Sequence, residues 1–521
     1  MRKLRIGIID LVSKNPTRTM WARVMNANFA SIMPQAVAVW CQQEGHDVTY
    51  LCYTGLEELA DEMPNNVDLV FIGAFTEAAQ LAYALSNQFR SRGAVTALGG
   101  PHARCYPQDG QKYFDYVLGF TDQAIIREVL TDCAPNRPTG LYLTAAGQPA
   151  SLPGVRERWE FIETTLKKAP LIKMVPMLGS LGCPYTCPFC IDSVVPYQPL
   201  DMGVMKEDLA FLLTKFKRPL VAFHDPNFGV QFDNCMNAIE EAVPAGSIDF
   251  AAESSLSLLS EPHLVRLKRN GFKALLPGIE SWYELGEKSR TGRSRGMDKV
   301  LQVSEHINMI LRYIPYLQAN FVLGLDVDEG EEPFELTKRF IDLAPGAFPG
   351  YSLLSAFGQA APLNLQYQQA GRVIAFPFHF LNNNGAMNIE PKNYSWPGFY
   401  EHVIDLTRYS FSKRAIYRRA LATKTFIPKW LNAIRAISSE GYGRMHYYSE
   451  ILGRLHSDTQ FLPFFERQTN TIPQFYVDRV RNELGPLWRW LPDGALEHDP
   501  NAYLKSQVEE STDSIEARFA V

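Results

Sequence analysis

The chain has 521 residues, 46% of them hydrophobic and 21% charged, which is ordinary for a globular protein and excludes a disordered or fibrous class. Its 51 basic and 56 acidic residues leave a formal net charge of -5 and are mixed along the chain, so nothing has the footprint of a nucleic-acid binder. No apolar run approaches the roughly 18 to 20 residues that span a bilayer, and the apolar part of the opening MRKLRIGIID is too short for a secretory signal, which points to the cytoplasm.

A chain of this length suggests two or three domains. In chain order, short apolar runs come first, at residues 4–10 (LRIGIID), 47–53, 67–74, 94–100 and 115–120, with helix-like stretches at 30–44 and 77–91. This α/β alternation predicts a Rossmann-like doubly wound parallel sheet over residues 1–135. Ligands of such sheets sit at the carboxyl ends of strands. Those positions carry Val12 after the first strand, Gly73, Phe75 and Thr76 after the third, Gly99, Gly100 and His102 after the fourth, and Gly119 after the fifth. Glycine there lets the backbone approach a ligand closely, although it also ends strands as a plain turn residue. His102 reads equally as a pocket residue and as a loop residue facing solvent.

Residues 136–170 contain Pro and Gly around a charged RERWEF run and read as a linker. From 171 to 385 the pattern restarts, with strands predicted at 173–180, 219–226, 247–254, 273–281, 316–325 and 351–358. Six such units predict a partial (β/α)6 barrel of the TIM type, whose chemistry gathers at the carboxyl ends of its strands.

Directly after the first of these strands stands Cys183-Pro-Tyr-Thr-Cys187-Pro-Phe-Cys190. Chance would place this CxxxCxxC spacing in such a chain only about 0.002 times. Three soft thiolates can hold three irons of a [4Fe-4S] cube and leave the fourth iron open. Structural zinc is the alternative, and it would need a fourth ligand such as a distant His or Cys235. The remaining cysteines, Cys41, Cys52, Cys105, Cys133 and Cys235, share no motif spacing and read as buried thiols in a reducing compartment.

The triplet, with Phe189 just before its last cysteine, resembles the signature of radical S-adenosylmethionine (SAM) enzymes. The resemblance implies that Cys183, Cys187 and Cys190 hold the [4Fe-4S] cluster, that SAM chelates the open iron, and that Phe189 lies against its adenine. It further implies SAM contacts at the strand ends, at Asp225, at Glu253 and Ser255, and at Glu280 and Ser281. A plain alternative for the glutamates is pairing with Arg290 or Arg293. Alternation along the fifth strand puts Gln318 and Asn320 on one face, where they would meet SAM or substrate.

Ahead of the barrel, LGGPHARCYPQD and DYVLGF are similar to the later strands of cobalamin-binding domains. The early DxHxxG motif of those domains is altered, because Val12 replaces the His and Asn15 the Gly. The resemblance therefore implies either cobalamin held without that histidine or a sheet that keeps the fold alone. With cobalamin, a radical SAM C-methyltransferase is implied; without it, a cyclase or C–C bond-forming enzyme. A non-catalytic iron-sulfur sensor or electron carrier is a third reading. The enzyme readings imply a small-molecule substrate and an external electron donor such as flavodoxin or ferredoxin.

Residues 386–521 predict a mainly helical extension over the barrel mouth, with a helix at 401–423, another near 429–441, and a polar tail that frays. Arg408, Lys413, Arg414, Arg418 and Arg419 alternate with aromatics there, a pattern that suits an anionic or lipid-like ligand but reads first as a solvated basic face.

Overall fold

Alternation within a single strand organises the first sheet. In a computed structural model that describes residues 2–16, 20–133, 140–193, 195–438 and 440–502, β1 (Arg5–Leu11) lies between β2 (Asp47–Tyr53) and β3 (Leu69–Ala74). Ile6 and Ile8 pack with Tyr50, Leu69 and Phe71 against Ala36, Val37 and Trp40 of the helix Ile32–Gln43. Ile9 and Leu11 join Leu51, Val70 and Ile72 on the opposite face, against Leu81 and Leu85 of the helix Ala79–Arg90. Both faces are thus covered, as a parallel sheet requires. Strands β4 (Val95–Gly99), β5 (Tyr116–Leu118) and β6 (Leu141–Leu143) complete the order β2-β1-β3-β4-β5-β6, all parallel. The order reverses between β1 and β3, which opens a crevice at their carboxyl ends.

The stretch read as a linker is built into this sheet. It supplies β6, which pairs with β5 in the register Tyr116↔Leu141, and the helix Trp159–Lys168. Phe161 of that helix packs on Tyr50 with ring centroids 5.4 Å apart, and Arg158, buried before it, donates to Gln35 Oε1 at 2.7 Å. Three strand residues are too few for alternation to show. The charges of RERWEF likewise hide the inward-facing Phe161 and Ile162. The boundary expected at 135 and 136 and the tail expected to fray lie outside the described residues.

Asp10, near the end of β1, is buried, accepts from Ser31 N at 2.6 Å and from Tyr50 Oη at 3.3 Å, and is pushed up to about 7 by burial, which these hydrogen bonds only partly oppose. A carboxyl raised in the folded state binds more protons there than in the unfolded chain between about pH 4 and pH 7, so it costs stability as pH rises through that window. Asp10→Asn is expected to remove this slope and to gain on the wild type by about 4 kcal/mol between pH 4 and pH 7. Parallel pH profiles of thermal melting for the two proteins would refute the assignment.

The second sheet has the order β14-β13-β12-β11-β10-β7, again all parallel. Its strands are β7 (Met174–Met177), β10 (Leu220–Phe223), β11 (Asp249–Ser255), β12 (Phe272–Glu280), β13 (Tyr316–Leu323) and β14 (Phe348–Leu353). Helices Met202–Lys215, Phe232–Ala242, Glu261–Asn270, Gly296–Tyr313 and Glu332–Leu343 make the crossovers. β7 and β14 stand at the two edges unpaired with each other, so the barrel is partial, as the sequence predicts. The short ribbon β8 (Ser180–Leu181) and β9 (Gln198–Pro199) stands apart and is antiparallel.

The helical C-terminal region differs from expectation in two ways. The long helix predicted at 401–423 breaks at Phe411, and Ser412 caps a new helix, Lys413–Ala422, by accepting from Ala415 N at 3.2 Å. This helix and the next, Phe426–Ile437, also lie beneath the barrel rather than over its mouth. Arg419 donates to Ala347 O at 3.1 Å, just before β14. Arg435 donates to Tyr316 Oη and, at 2.6 Å, to Gln318 Oε1 near the start of β13, and its guanidinium lies 4.2 Å from the Phe348 ring centroid. These are amino ends of strands, so the two helices form the floor of the barrel.

Candidate active site

The cysteine loop is closed at its base by the β8–β9 ribbon. Gly182 stands at its start with φ +68°, and a Cβ there would collide with Pro196 O, so only glycine passes. Asp225, after β10, fixes the approach to the loop: it is buried and accepts from Gly179 N at 3.0 Å and from Ser180 Oγ at 2.6 Å. Burial pushes its carboxyl up to about 6. Expected as a contact to the SAM amino group, Asp225 instead spends both oxygens on the backbone and hydroxyl ahead of the cysteines.

Within the loop, Tyr185 Oη lies 2.5 Å from Ser257 Oγ, which lies 3.0 Å from Ser255 Oγ. Ser255 N donates to Asn227 Oδ1 at 2.9 Å, so the expected ligand contact at Ser255 is a link in the chain that clamps the loop to the end of β11. Ser281 is similar, accepting from Tyr283 N at 3.1 Å within its own turn.

Cys187 is buried, while Cys183, Cys190 and the Phe189 ring are half-buried. Burial pushes the Cys187 thiol up and the Cys190 thiol up to about 11, with Asp192 N donating to Cys190 Sγ at 3.4 Å. Binding of a metal would displace these protons. Among the described residues no three His, Cys, Asp or Glu groups converge as a single ion would require. A cube, which spreads its thiolates over three separate irons, does not need them to converge. The donor set and the Asp192 N–H aimed at Cys190 Sγ fit a cluster.

Facing the cysteines is a charged lumen. Lys288 Nζ lies 2.7 Å from Glu280 Oε1, both side chains being largely buried. Burial works against the Lys288 charge, but Glu280 and the thiols of Cys187 and Cys190 outweigh it and hold the ammonium above its usual range. Glu253, enclosed by protein yet open to the lumen, is raised by burial, opposed by Lys288 and reinforced by Glu280 and Asp192. Glu280 therefore pairs with Lys288 and not with Arg290 or Arg293. Its backbone is left-handed at φ +65°, and a Cβ on Gly278 would run into its carboxylate. Lys288 was not among the expected site residues, because it stands in the hydrophilic run GEKSRTGRSRG, which reads as a solvated loop. Gln318 and Asn320 do share a face, with Ala319 and Phe321 buried on the other. Gln318, however, belongs to the floor: it accepts from Arg435 and donates to Asn320 Oδ1 at 2.6 Å.

The carboxyl ends of the two sheets meet. Arg104, after β4, donates to Ile191 O of the cysteine loop at 3.0 Å, approaches Asp192 at 3.6 Å, and lies over the Phe120 ring. Gln359 N, beyond β14, donates to Cys105 O at 2.9 Å. A third wall comes from the aromatic and Asn-rich segment after residue 371. Lys14 donates to His379 O at 2.7 Å, Asn382 Nδ2 donates to Glu77 at 2.7 Å, and Asn388 exchanges two hydrogen bonds with Ala356.

On the sheet side of this cleft, Gly99 has nothing within 4 Å of where a Cβ would stand, and Phe75 is 51% exposed. Gly100 has φ +91°, and a Cβ would come within 2.8 Å of Ala74 O. Val12, directly after β1, is half-buried, and Thr76 is buried. Two expected residues have packing roles instead. Gly73 leaves room for Pro34, and Gly119 for Tyr142 of β6 and Thr144 just after it. His102 is not a pocket residue: it is fully buried, 2.6 Å from Tyr83 Oη, among Tyr106 and Phe378, and burial pushes it down to about 3.

No family model matches the chain. The chain is 22% identical over 429 residues to a bacteriochlorophyllide d C-12(1)-methyltransferase of Chlorobaculum tepidum, covering 78% of this chain and 91% of that protein. It is also 22% identical over 322 residues to the C-8(2)-methyltransferase of the same organism, covering 59% and 69%. Among solved structures, it superposes on the radical SAM methyltransferase TsrM from Kitasatospora setae, solved with tryptophan and a SAM analogue, with a TM-score of 0.55, 13% identity and coverage of 93% and 100%. The cobalamin-dependent SAM radical enzyme OxsB, with aqua-cobalamin bound, gives a TM-score of 0.54 at 10% identity and coverage of 94% and 80%. The chain thus shares its fold, over nearly its whole length, with radical SAM enzymes, one of them solved with aqua-cobalamin bound.

Proposed function

We propose that this chain is a cobalamin-dependent radical SAM C-methyltransferase acting on a small molecule. The observation that carries the reading is the shared cleft: a three-cysteine loop with a charged lumen opens toward a sheet edge where Gly99 leaves the backbone bare. When bound, the reduced cluster, SAM and cobalamin supply a carbon-centred radical and a methyl group. Cys183, Cys187 and Cys190 would hold the cluster, with electrons arriving from a donor such as flavodoxin or ferredoxin.

The chain's own residues supply position and exclusion. Asp225 and the Tyr185–Ser257–Ser255 links hold the loop to two strands, so its geometry is set before any ligand arrives. Lys288 offers a cation, and Glu253 and Glu280 offer anions, to the carboxylate and ammonium of an amino acid group. Arg104 welds the loop to the first domain, and the segment carrying His379, Asn382 and Asn388 closes one side against water.

The test uses protein purified anaerobically with cobalamin supplied. Wild type is expected to retain stoichiometric corrinoid by spectrum and cobalt content. Because a Cβ at Gly99 has no protein atom within 4 Å, Gly99→Val is expected to melt like the wild type yet retain about tenfold less corrinoid or lower. Wild type without corrinoid would sink the methyltransferase reading and favour the cyclase or C–C bond-forming alternative.

A further inference from the structure

The helix Phe426–Ile437 is inside out. Its buried positions are Pro428, Asn432 and Ala436, and its outward stripe is Phe426, Ile427, Trp430 and Ile437. Phe426 is 80% exposed, Ile437 69% and Ile427 66%. The preceding helix adds Tyr417 and Leu421, one turn apart on its own outer face at 65% and 66%. A stripe at helical spacing ordinarily faces the core. Here the inward side carries small or polar residues instead, and Arg419 and Arg435 are the groups that plug the barrel floor.

The sequence across these two helices carries charge of one sign only. Between Asp405 and Glu440 the sequence has eight Lys and Arg residues and no carboxylate, within a chain of net charge -5. Arg418, Arg419 and Arg435 are used internally, by Asp342, Ala347 O and Gln318. Lys413, Arg414, Lys424 and Lys429, at the ends of the two helices, make no ion pair among the described residues.

We infer that this helical pair docks the protein on a bilayer surface that bears anionic lipid. Aromatic and aliphatic tips flanked by cations suit the boundary between acyl chains and anionic headgroups. A second copy suits it poorly, because a two-fold interface would set the same four cations against each other. No helix among the described residues is long and apolar enough to cross a membrane, so the contact lies on the surface. The patch is at the amino ends of the strands, so the cleft at their carboxyl ends faces away from the lipid. Docking would therefore anchor the protein without delivering substrate, and its test is independent of the cofactors.

The full chain is mixed with vesicles of phosphatidylcholine and with vesicles in which phosphatidylglycerol replaces half of it, then sedimented. Binding is expected to be about tenfold stronger or more on the anionic vesicles and to weaken with salt. Phe426→Ser with Ile427→Ser, and separately Lys413→Glu with Lys424→Glu and Lys429→Glu, are each expected to lower it about tenfold without moving the melting temperature. Quenching of tryptophan fluorescence by brominated lipid is expected in the wild type and lost in Trp430→Phe. Absence of vesicle binding, equal binding to both vesicles, or binding that survives both variants would overturn the inference. So would a dimer in sedimentation velocity that the Phe426 variant abolishes, which would assign the patch to a second copy.

Discussion

Cys187→Ala is expected to strip iron and sulfide from the protein while leaving its fold in place. Cys187 is the buried member of the triplet, and Cys183 and Cys190 are its electrostatic neighbours along one loop. Two thiolates cannot take the place of three on a cube with one open iron, so cluster content should fall to background. Formation of 5'-deoxyadenosine from SAM should fall with it, by about 1,000-fold or more, since a lost metal site abolishes chemistry rather than slowing it. The loop itself is held by Asp225, by Tyr185 and by the β8–β9 ribbon, none of which uses the thiol. Melting of the metal-free variant should therefore match that of the metal-free wild type.

Cys235→Ala is the matched control. Its thiol is buried next to Gly179 and Asp225, close beneath the same loop, and burial pushes it up to about 12. It is also the cysteine that the sequence offers as a fourth zinc ligand beside the triplet. Full iron content in Cys235→Ala would leave zinc no fourth thiolate. Stoichiometric zinc that disappears in both variants would sink the cluster reading.

Much of this site was legible because its signals are local. The CxxxCxxC spacing needs no tertiary information, and neither do the strand ends that carry Glu253 and Glu280. The face shared by Gln318 and Asn320 follows from strand alternation alone. What failed depended on which side of an element meets protein. Gly99 ends the strand that His102 follows, yet the backbone after Gly100 turns the imidazole into a fully buried cluster and leaves Gly99 open. Asp225 looks like a free acceptor until Gly179 and Ser180 are folded over it.

The C-terminal helices show the same limit more broadly. Periodicity reports that Phe426–Ile437 has an apolar stripe, but not that the stripe points outward. Position failed for a related reason. A helix after the last barrel strand can pass over the mouth or under the floor with the same sequence pattern, and the choice rests on long-range pairs such as Arg435 with Gln318.

Lys288→Met is expected to be the most destabilising single change in the lumen. The ammonium is flanked by Glu280 at 2.7 Å and acts on Glu253, so its loss leaves two carboxylates facing each other without a cation. Breaking a buried pair from one side costs about 3–5 kcal/mol, because the remaining charge stays desolvated and unpaired. Replacing both partners is far milder. The double variant Lys288→Met with Glu280→Leu should therefore recover most of the lost stability in denaturant unfolding. It should not recover SAM binding, which is expected to stay at least about tenfold weaker, since a hydrogen-bonded charge contact contributes about 1.5–3 kcal/mol. That split separates the two roles of the pair. If the double variant regained both stability and SAM affinity, Lys288 and Glu280 would only be holding each other, and the charged lumen would have to find its ligand contacts at Glu253 and the cluster alone.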